Sequence, residues 1–233
     1  MAKISPAGAP YRNEILAALS PHTLERLAPQ SFDFPLGKVL YEPNAPMEYA
    51  YFPEHGMISI VAVMSNGANI EVGTIGREGV AGSSLLLEAA TAPNRYLVQI
   101  EGNGYRVGAR ALLATAAADH ELRDAILRYE AVFRTHTMQG MACNGLHNIE
   151  QRCCRWLLMS RDRVDSDEIK LTHEFLAQML GVRRSSVSEV LAPFQEKELI
   201  RSSRGVITLI NRKALEERVC ECYWVMSQRE KEA

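Results

Sequence analysis

Between Gly181 and Lys213 the chain sets Arg183, Arg184, Lys197, Arg201, Arg204, Arg212 and Lys213 against Glu189, Glu196 and Glu198, seven cations to three anions. The whole 233-residue chain carries a net charge of −2, so the other residues hold −6 and the positive field is local. Clustered cations attract a polyanion whatever the total charge. Arginine beside small hydroxyl side chains also suits hydrogen bonding to phosphate oxygens and to the acceptor edge of guanine. The candidates for that chemistry are Arg183, Arg184, Ser185, Ser186, Ser188 and Glu189, with Thr172 and His173 before them and Arg201 and Arg204 after. A solvated helix face is the plain alternative for the two adjacent arginines, and some of the hydroxyls also suit capping of backbone N–H groups.

The elements around these residues have a recognisable spacing. Leu171 to Leu191 reads LTHEFLAQMLGVRRSSVSEVL, in which a small Ala177 and a Gly181 fall four and eight residues after His173. Ala177 lets a second helix approach the first, Gly181 supplies a left-handed turn, and Leu176, Leu180, Val182, Val187 and Val190 fill the angle between the helices. This is the pattern of a helix-turn-helix, whose second helix presents its first residues to base edges in the DNA major groove. Behind it, Arg201 to Ile210 reads as a strand, a Gly-bearing turn and a strand, a wing whose basic loop can lie along phosphates. Pro193 removes a helical hydrogen bond and clashes one turn back, so the second helix is expected to kink or end near Ala192.

A second group of chemistry-bearing residues is sulfur-rich. Cys143, Cys153, Cys154, Cys220 and Cys222 crowd the C-terminal half without C-x-x-C spacing, which fits reduced thiols rather than a disulfide framework or zinc finger. His136, Cys143, His147 and Cys154, spaced 7, 4 and 7, fall on one helical face and could offer soft ligands to a metal or haem. Packing in a helix seam explains the same spacing, and no metal or other cofactor is assigned. The vicinal Cys153 and Cys154 read as redox sensors or, more simply, as buried inert thiols. A metalloenzyme built on a cupin-like barrel would need clustered strand ligands, and His55 has no H-x-H partner. A protein-interaction module that ignores DNA is the third class, and it would show no salt-dependent DNA affinity.

The supporting framework is that of a globular chain, 47% hydrophobic and 23% charged. The apolar run Ile60 to Met64 is far short of the ~20 residues that cross a bilayer, and Met1 to Pro6 leads into no apolar signal core, so the cytoplasm is the expected location. Short strands are expected at Phe32–Phe34, Val39–Tyr41, Tyr49–Phe52, Met57–Met64, Asn69–Ile75, Tyr96–Ile100 and Tyr105–Val107, punctuated by Gly and Pro as in a sandwich or jelly roll. Asn66-Gly67 between two of them predicts a hairpin with a type I′ turn. Short helices around Ile15 to Leu27, broken at Ser20-Pro21, precede the strands. From about Ala109 the period turns helical, and Leu122, Ile126, Tyr129, Phe133, His136, Gly140, Cys143 and His147 trace one stripe, read as a dimer seam or as a helix packed on its own domain. The expected class is α+β. It comprises an antiparallel β-roll over 1–118, a dimerisation helix over 119–148 and a winged helix-turn-helix over 149–233.

This order, with Gly37-Lys38-Val39-Leu40-Tyr41, Tyr51-Phe52, Gly56-Met57-Ile58-Ser59 and Gly79-Val80-Ala81-Gly82 in the β-roll, resembles the Crp/Fnr superfamily of bacterial transcription regulators. The resemblance runs from Ile15 to Cys222. It implies a homodimer that binds two half-sites of a palindrome in double-stranded DNA, contacts RNA polymerase and needs no membrane. In relatives that bind cyclic nucleotides, a Glu, an Arg and a hydroxyl residue follow the Gly-x-x-Gly stretch. Here Gly82 and Arg95 match, but Ser83 and Tyr96 stand where the Glu and the hydroxyl residue belong. An unpaired ribose or phosphate oxygen costs about 1–3 kcal/mol, which argues against tight cyclic AMP binding and leaves any effector unknown. Arg95 reads equally as a surface residue on a strand. No cysteine precedes Cys143, against the N-terminal iron–sulfur centre of oxygen-sensing relatives. The recognition helix has Arg184-Ser185-Ser186-Val187-Ser188-Glu189 where many relatives have Arg-Glu-Thr-Val-x-Arg, so their half-site is not carried over. Glu189 is suited to accept from a cytosine amino group or, instead, to pair in the neighbourhood of Arg184.

Overall fold

The structure is a computed structural model that describes residues 11–164 and 166–232, with side chains to residue 228. The N-terminus folds into two short helices, α1 (Glu14–Ala17) and α2 (Pro21–Leu27). Asn13 caps α1 through its side-chain oxygen, and its buried amide donates to Pro53 O at 3.0 Å and to Gly79 O at 2.9 Å, tying the helix to the strands behind it.

Seven antiparallel strands follow: β1 (Gln30–Phe34), β2 (Val39–Tyr41), β3 (Tyr49–Pro53), β4 (Met57–Val63), β5 (Asn69–Ile75), β6 (Arg95–Ile100) and β7 (Gly102–Gly108). They form two sheets, β1-β7-β3 and β2-β6-β4-β5. Every strand expected from the sequence is present. The hairpin at Asn66-Gly67 also forms, but its turn is not type I′. Gly67 alone takes a positive φ, its N–H donates to Met64 O at 2.9 Å, and Met64 N–H donates to Ala68 O at 2.8 Å. That is a three-residue loop, a type I turn closed by a left-handed glycine. Between the sheets lie Phe34, Tyr41, Tyr51, Phe52, Tyr96 and Val98, all nearly inaccessible to solvent.

Helix α3 (Ala109–Ala118) ends at Asp119, whose carboxylate accepts from Glu121 N–H and caps α4 (His120–Leu146). At 1.5 Å per residue, α4 is about 40 Å long. The stripe expected to face a second copy instead faces this chain. Leu122 and Ile126 are 0% exposed and Tyr129 is 7% exposed, all within the β-roll core; Phe133 packs against it and Cys143 is covered by the C-terminal segment. His136 is bonded to Met226 O, and Gly140 lies beside Met226. Leu122, Ile126, Tyr129 and Cys143 are thus buried within the chain, while Phe133, His136 and Gly140 are half-buried. Periodicity locates a buried face without saying what buries it. The opposite face exposes Leu127, Met138, Met141 and Leu146, between 41% and 82%.

The C-terminal unit comprises α5 (Ile149–Val164), β8 (Glu168–Lys170), α6 (His173–Leu180), α7 (Arg184–Glu196), β9 (Ile200–Ser203), β10 (Val206–Leu209), α8 (Arg212–Glu216) and α9 (Glu221–Glu232). Its sheet runs β8-β10-β9. Pro193 does not end α7, which continues to Glu196. Pro193 and Glu189, whose carbonyl loses its helical partner, both lie on the exposed side of α7, away from the core. No described helix is long and apolar enough to cross a membrane.

Candidate nucleic-acid interface

Thr172 starts α6 by accepting the Phe175 N–H on its hydroxyl oxygen at 3.2 Å. Leu176, Ala177, Leu180, Val187 and Leu191 are buried between α6 and α7, and Gly181 makes the turn at φ 64°. Arg183 caps α7 by backbone alone, so no side chain covers the N–H groups of the first turn. A helix N-terminus of that kind is a ready site for a phosphate.

Arg183, Arg184, Ser185 and Glu189 are exposed, and Ser186 is half-buried. The wing brings Arg204 to the same side, whereas Arg201 is exposed on β9 outside the groove. Arg204 and Gly205 both take left-handed backbone, φ 48° and 77°, which closes the β9–β10 hairpin tightly and leaves the Arg204 side chain in solvent. A groove of about 460 Å³ runs between α7 and the wing, with Arg184 on one wall and Arg204 on the other. Thr172, His173, Ser202 and Ser203 line its floor and sides. Two of the candidates are engaged within the protein. His173 Nδ1 is 3.1 Å from Ser188 Oγ and its Nε2 is 3.1 Å from Ser202 Oγ. His173 and Ser188 thus join α6, the recognition helix and the wing, a positioning part that spacing alone does not reveal.

The unit rests on the outer face of the β4–β5 hairpin. A Cβ on Gly181 would lie 2.7 Å from Ile70 Cδ1, so the helix-turn-helix glycine is also a contact between the two halves of the chain. Trp156 Nε1 donates to Glu71 Oε1 at 3.0 Å, and Ser59 Oγ donates to Glu71 Oε2 at 2.6 Å. Burial pushes the Glu71 carboxyl up to about 7 against those two hydrogen bonds, which hold it down. Beside it, Arg163 Nε donates to Glu78 Oε1 at 3.0 Å. Burial alone would raise Glu78, but the Arg163 cation and the Gly76 N–H hold it below the ordinary carboxylate range. A cavity of about 260 Å³ between hairpin, α4 and α5 is lined by Glu71, His136, Arg155 and Trp156. Burial lowers His136 to about 4, so near neutrality it is uncharged, with Nε2 donating to Met226 O at 3.0 Å.

The candidate effector residues lie apart from both openings. Gly82 turns the chain at φ 98° directly under the Tyr41 hydroxyl, Ser83 is buried, Arg95 is paired outward with Glu42 at 2.9 Å, and the Tyr96 ring packs edge-on against Tyr41. Neither cavity described above borders them. The four soft ligands read from spacing are also split. Cys154 lies on α5 in the core of the C-terminal unit and His136 faces Met226. Cys143 and His147 remain together, and they meet Cys220 and Cys222, which the spacing along one helix could not include. Cys153 and Cys154 are 0% exposed. Burial raises both, Cys154 to about 12, which fits inert core thiols.

A β-roll joined by a long helix to a winged helix-turn-helix, with arginines on recognition helix and wing, is the arrangement of a DNA-binding transcription regulator. Residues 151–218 match the Crp-like helix-turn-helix domain family. That match covers the C-terminal unit, from α5 to the segment before α9. The chain is 26% identical over 203 residues to a global nitrogen regulator from Synechococcus elongatus, across 82% of this chain and 90% of that one. Its fold matches FixK2 from Bradyrhizobium japonicum at a TM-score of 0.70 and 19% identity, covering 82% of this chain and 98% of that one. It also matches a CRP-family regulator from Thermus thermophilus at 0.68 and 21%, covering 80% and 95%.

Proposed function

We propose that the protein regulates transcription as a cytoplasmic homodimer bound to a palindromic duplex site. The observation that carries this reading is the groove with Arg184 and Arg204 on its two walls beside an uncapped helix start. Arg183, Arg184, Ser185, Ser186 and Glu189 face the major groove, while Arg201, Arg204 and the α7 N-terminus hold phosphates. Thr172 flanks them, and His173 and Ser188 set the angle between helix and wing. The units follow 1–118, 119–148 and 149–233. Contact with RNA polymerase is the family's habit and is proposed here on that ground alone.

The surface proposed for the dimer is the exposed face of α4, where Leu127, Ala131, Met138 and Met141 recur at a spacing close to heptad. Two parallel copies joined there would set their recognition helices to meet half-sites about one DNA turn apart. Cyclic AMP is not the proposed effector, since Tyr41 and Tyr96 pack over the Gly82 turn and Arg95 is turned outward.

The test is selection of bound sequences from a randomised duplex pool by the reduced protein, without and then with cell metabolite extract. A palindromic consensus, lost on R183A/R184A, is expected. No enriched site under either condition from a stable dimer would overturn the reading. Replacing Leu127 and Met138 by Glu should give monomers and abolish selection, and a persistent dimer would refute the assigned face.

A further inference from the structure

Cys143 and His147 lie one turn apart at the C-terminal end of α4, where His147 is the capping residue. Cys220 and Cys222 flank the start of α9, more than seventy residues later, and the fold lays them on the same spot. The three sulfurs and one imidazole nitrogen all lie within 4.8 Å of one another. Cys143 Sγ is 3.5 Å from Cys220 Sγ, and Cys222 Sγ is 3.5 Å from His147 Nδ1. We propose that this cluster binds one zinc ion, with Cys143, His147, Cys220 and Cys222 as a closed tetrahedral set.

The distances favour a single ion. Zinc–sulfur bonds of about 2.3 Å and zinc–nitrogen bonds of about 2.0 Å at tetrahedral angles put neighbouring sulfurs about 3.8 Å apart and sulfur about 3.5 Å from nitrogen. An iron–sulfur cluster interposes inorganic sulfide and several irons, and needs ligands spread wider than these. The four protein positions are all filled, which is the arrangement of structural rather than catalytic zinc.

Ordinary core packing does not account for the group. Buried cysteines usually serve as small apolar side chains, and Cys153 and Cys154 do so among Trp156, Leu157 and Leu176. Cys143, Cys220 and Cys222 instead form a buried cluster of their own, separate from both apolar cores and with no aliphatic or aromatic member. A Cys143–Cys220 disulfide would leave Cys222 and His147 facing it with no role.

The surroundings are those of a metal site. Glu221 Oε2 lies 3.3 Å from His147 Nε2, which fixes the proton there and turns the Nδ1 lone pair toward the thiols. Gln139 Nε2 donates to Cys222 Sγ at 3.1 Å. Three thiolates with a divalent ion leave one negative charge, which the adjacent Arg155 cation offsets. The ion would staple α9 to α4 beside the short link, His147-Asn148, that joins α4 to the DNA-binding unit. Binding would displace the three thiol protons to solvent, so it strengthens as pH rises.

The test uses the full-length chain, purified under reducing conditions. Metal content by mass spectrometry should be one zinc per chain. Protein stripped by chelator should take up one equivalent of cobalt with the visible absorption of tetrahedral thiolate coordination, and zinc should bleach it. Cys222→Ser and His147→Ala should each weaken cobalt binding at least about tenfold, and Glu221→Gln by roughly 10–100-fold. Cys154→Ser should leave it unchanged. Absence of both zinc and the cobalt–thiolate bands in the wild-type chain would overturn the proposal, and that readout requires no variant to fold. Acid-labile sulfide at stoichiometric level, or a Cys143–Cys220 disulfide in protein isolated with thiols trapped, would overturn it as well. Loss of metal with DNA selection intact would separate this site from the regulator reading.

Discussion

Replacing Arg163 by Met should loosen the junction between β-roll and DNA-binding unit more than any other single side-chain change there. The Arg163 side chain is 5% exposed and that of Glu78 is 16% exposed, so their 3.0 Å contact is largely out of water. Removing one partner of such a pair costs about 3–5 kcal/mol, because the other charge stays buried. Glu78 keeps the Gly76 N–H at 2.9 Å and some access to water, which sets the expectation near the low end, about 3 kcal/mol. Removing both charges in E78Q/R163M keeps an acceptor for Gly76, so the cycle should return a coupling of about 2 kcal/mol. The chain has two tryptophans. With the exposed Trp224 changed to Phe, the fluorescence of Trp156, which lies in the junction, reports urea unfolding there. The sign with pH is fixed. Glu78 is held low in the folded chain, so the pair stabilises above the ordinary carboxylate range, and the difference between wild type and R163M shrinks as pH falls below it. A loss under about 0.5 kcal/mol, or a cycle with no coupling, would refute the assignment of this pair as the anchor.

Glu71→Gln keeps the acceptor for Trp156 and removes the ionisation. Since burial raises Glu71 to about 7, wild-type stability should fall as pH rises from about 5 to 8, and melting curves of the variant should lack that decline. Gly181→Ala meets both a left-handed φ and Ile70 Cδ1, so urea unfolding should show a loss of about 1–2 kcal/mol, partly restored by Ile70→Ala. An unchanged midpoint would mean that the turn does not touch the hairpin. Arg204→Ala should weaken DNA binding evenly across sequences and reduce the slope of log K against log salt by about 0.9 per subunit, measured by fluorescence anisotropy. An unaltered slope would remove Arg204 from the phosphate contacts.

The strands were legible because Gly and Pro break them and their apolar residues alternate. The helix-turn-helix was legible because only Ala177 and Gly181 fit its close crossing and its left-handed turn. Misreadings arose where one signal has two causes. The Leu122-to-Cys143 stripe has the period of a buried helix face, and period is silent on whether the cover is a second copy or the same chain's β-roll and α9. Asn66-Gly67 marked a hairpin correctly, but either a two-residue loop or a three-residue loop with one left-handed glycine accommodates the pair. Pro193 reads as a helix breaker on backbone chemistry, yet it and Glu189 sit on the exposed side of α7, so neither is forced into the core. Contacts between distant segments left the weakest trace. The His173–Ser188–Ser202 bridge joins residues that are individually ordinary polar positions. The Cys–His group was divided because its halves lie at opposite ends of the C-terminal unit, although Cys143-x-x-x-His147 and Cys220-x-Cys222 are each ligand spacings.

These contacts converge on α5. Its C-terminal end is held by Arg163 on Glu78, its middle by Trp156 on Glu71, and the link at its N-terminal end, His147-Asn148, adjoins the thiol cluster that joins α4 to α9. The helix-turn-helix packs on α5 through Leu176, Leu180 and Leu191, so the direction of the recognition helix relative to α4 is set by how α5 lies on the β4–β5 hairpin. An event in the β-roll that alters the hairpin or the cavity behind it, lined by Glu71, His136 and Arg155, would therefore shift the lie of α5. Control requires a group that interacts differently with two placements of α5, and the Glu71–Trp156 contact, which joins α5 to the β-roll beside that cavity, is where such a group would act.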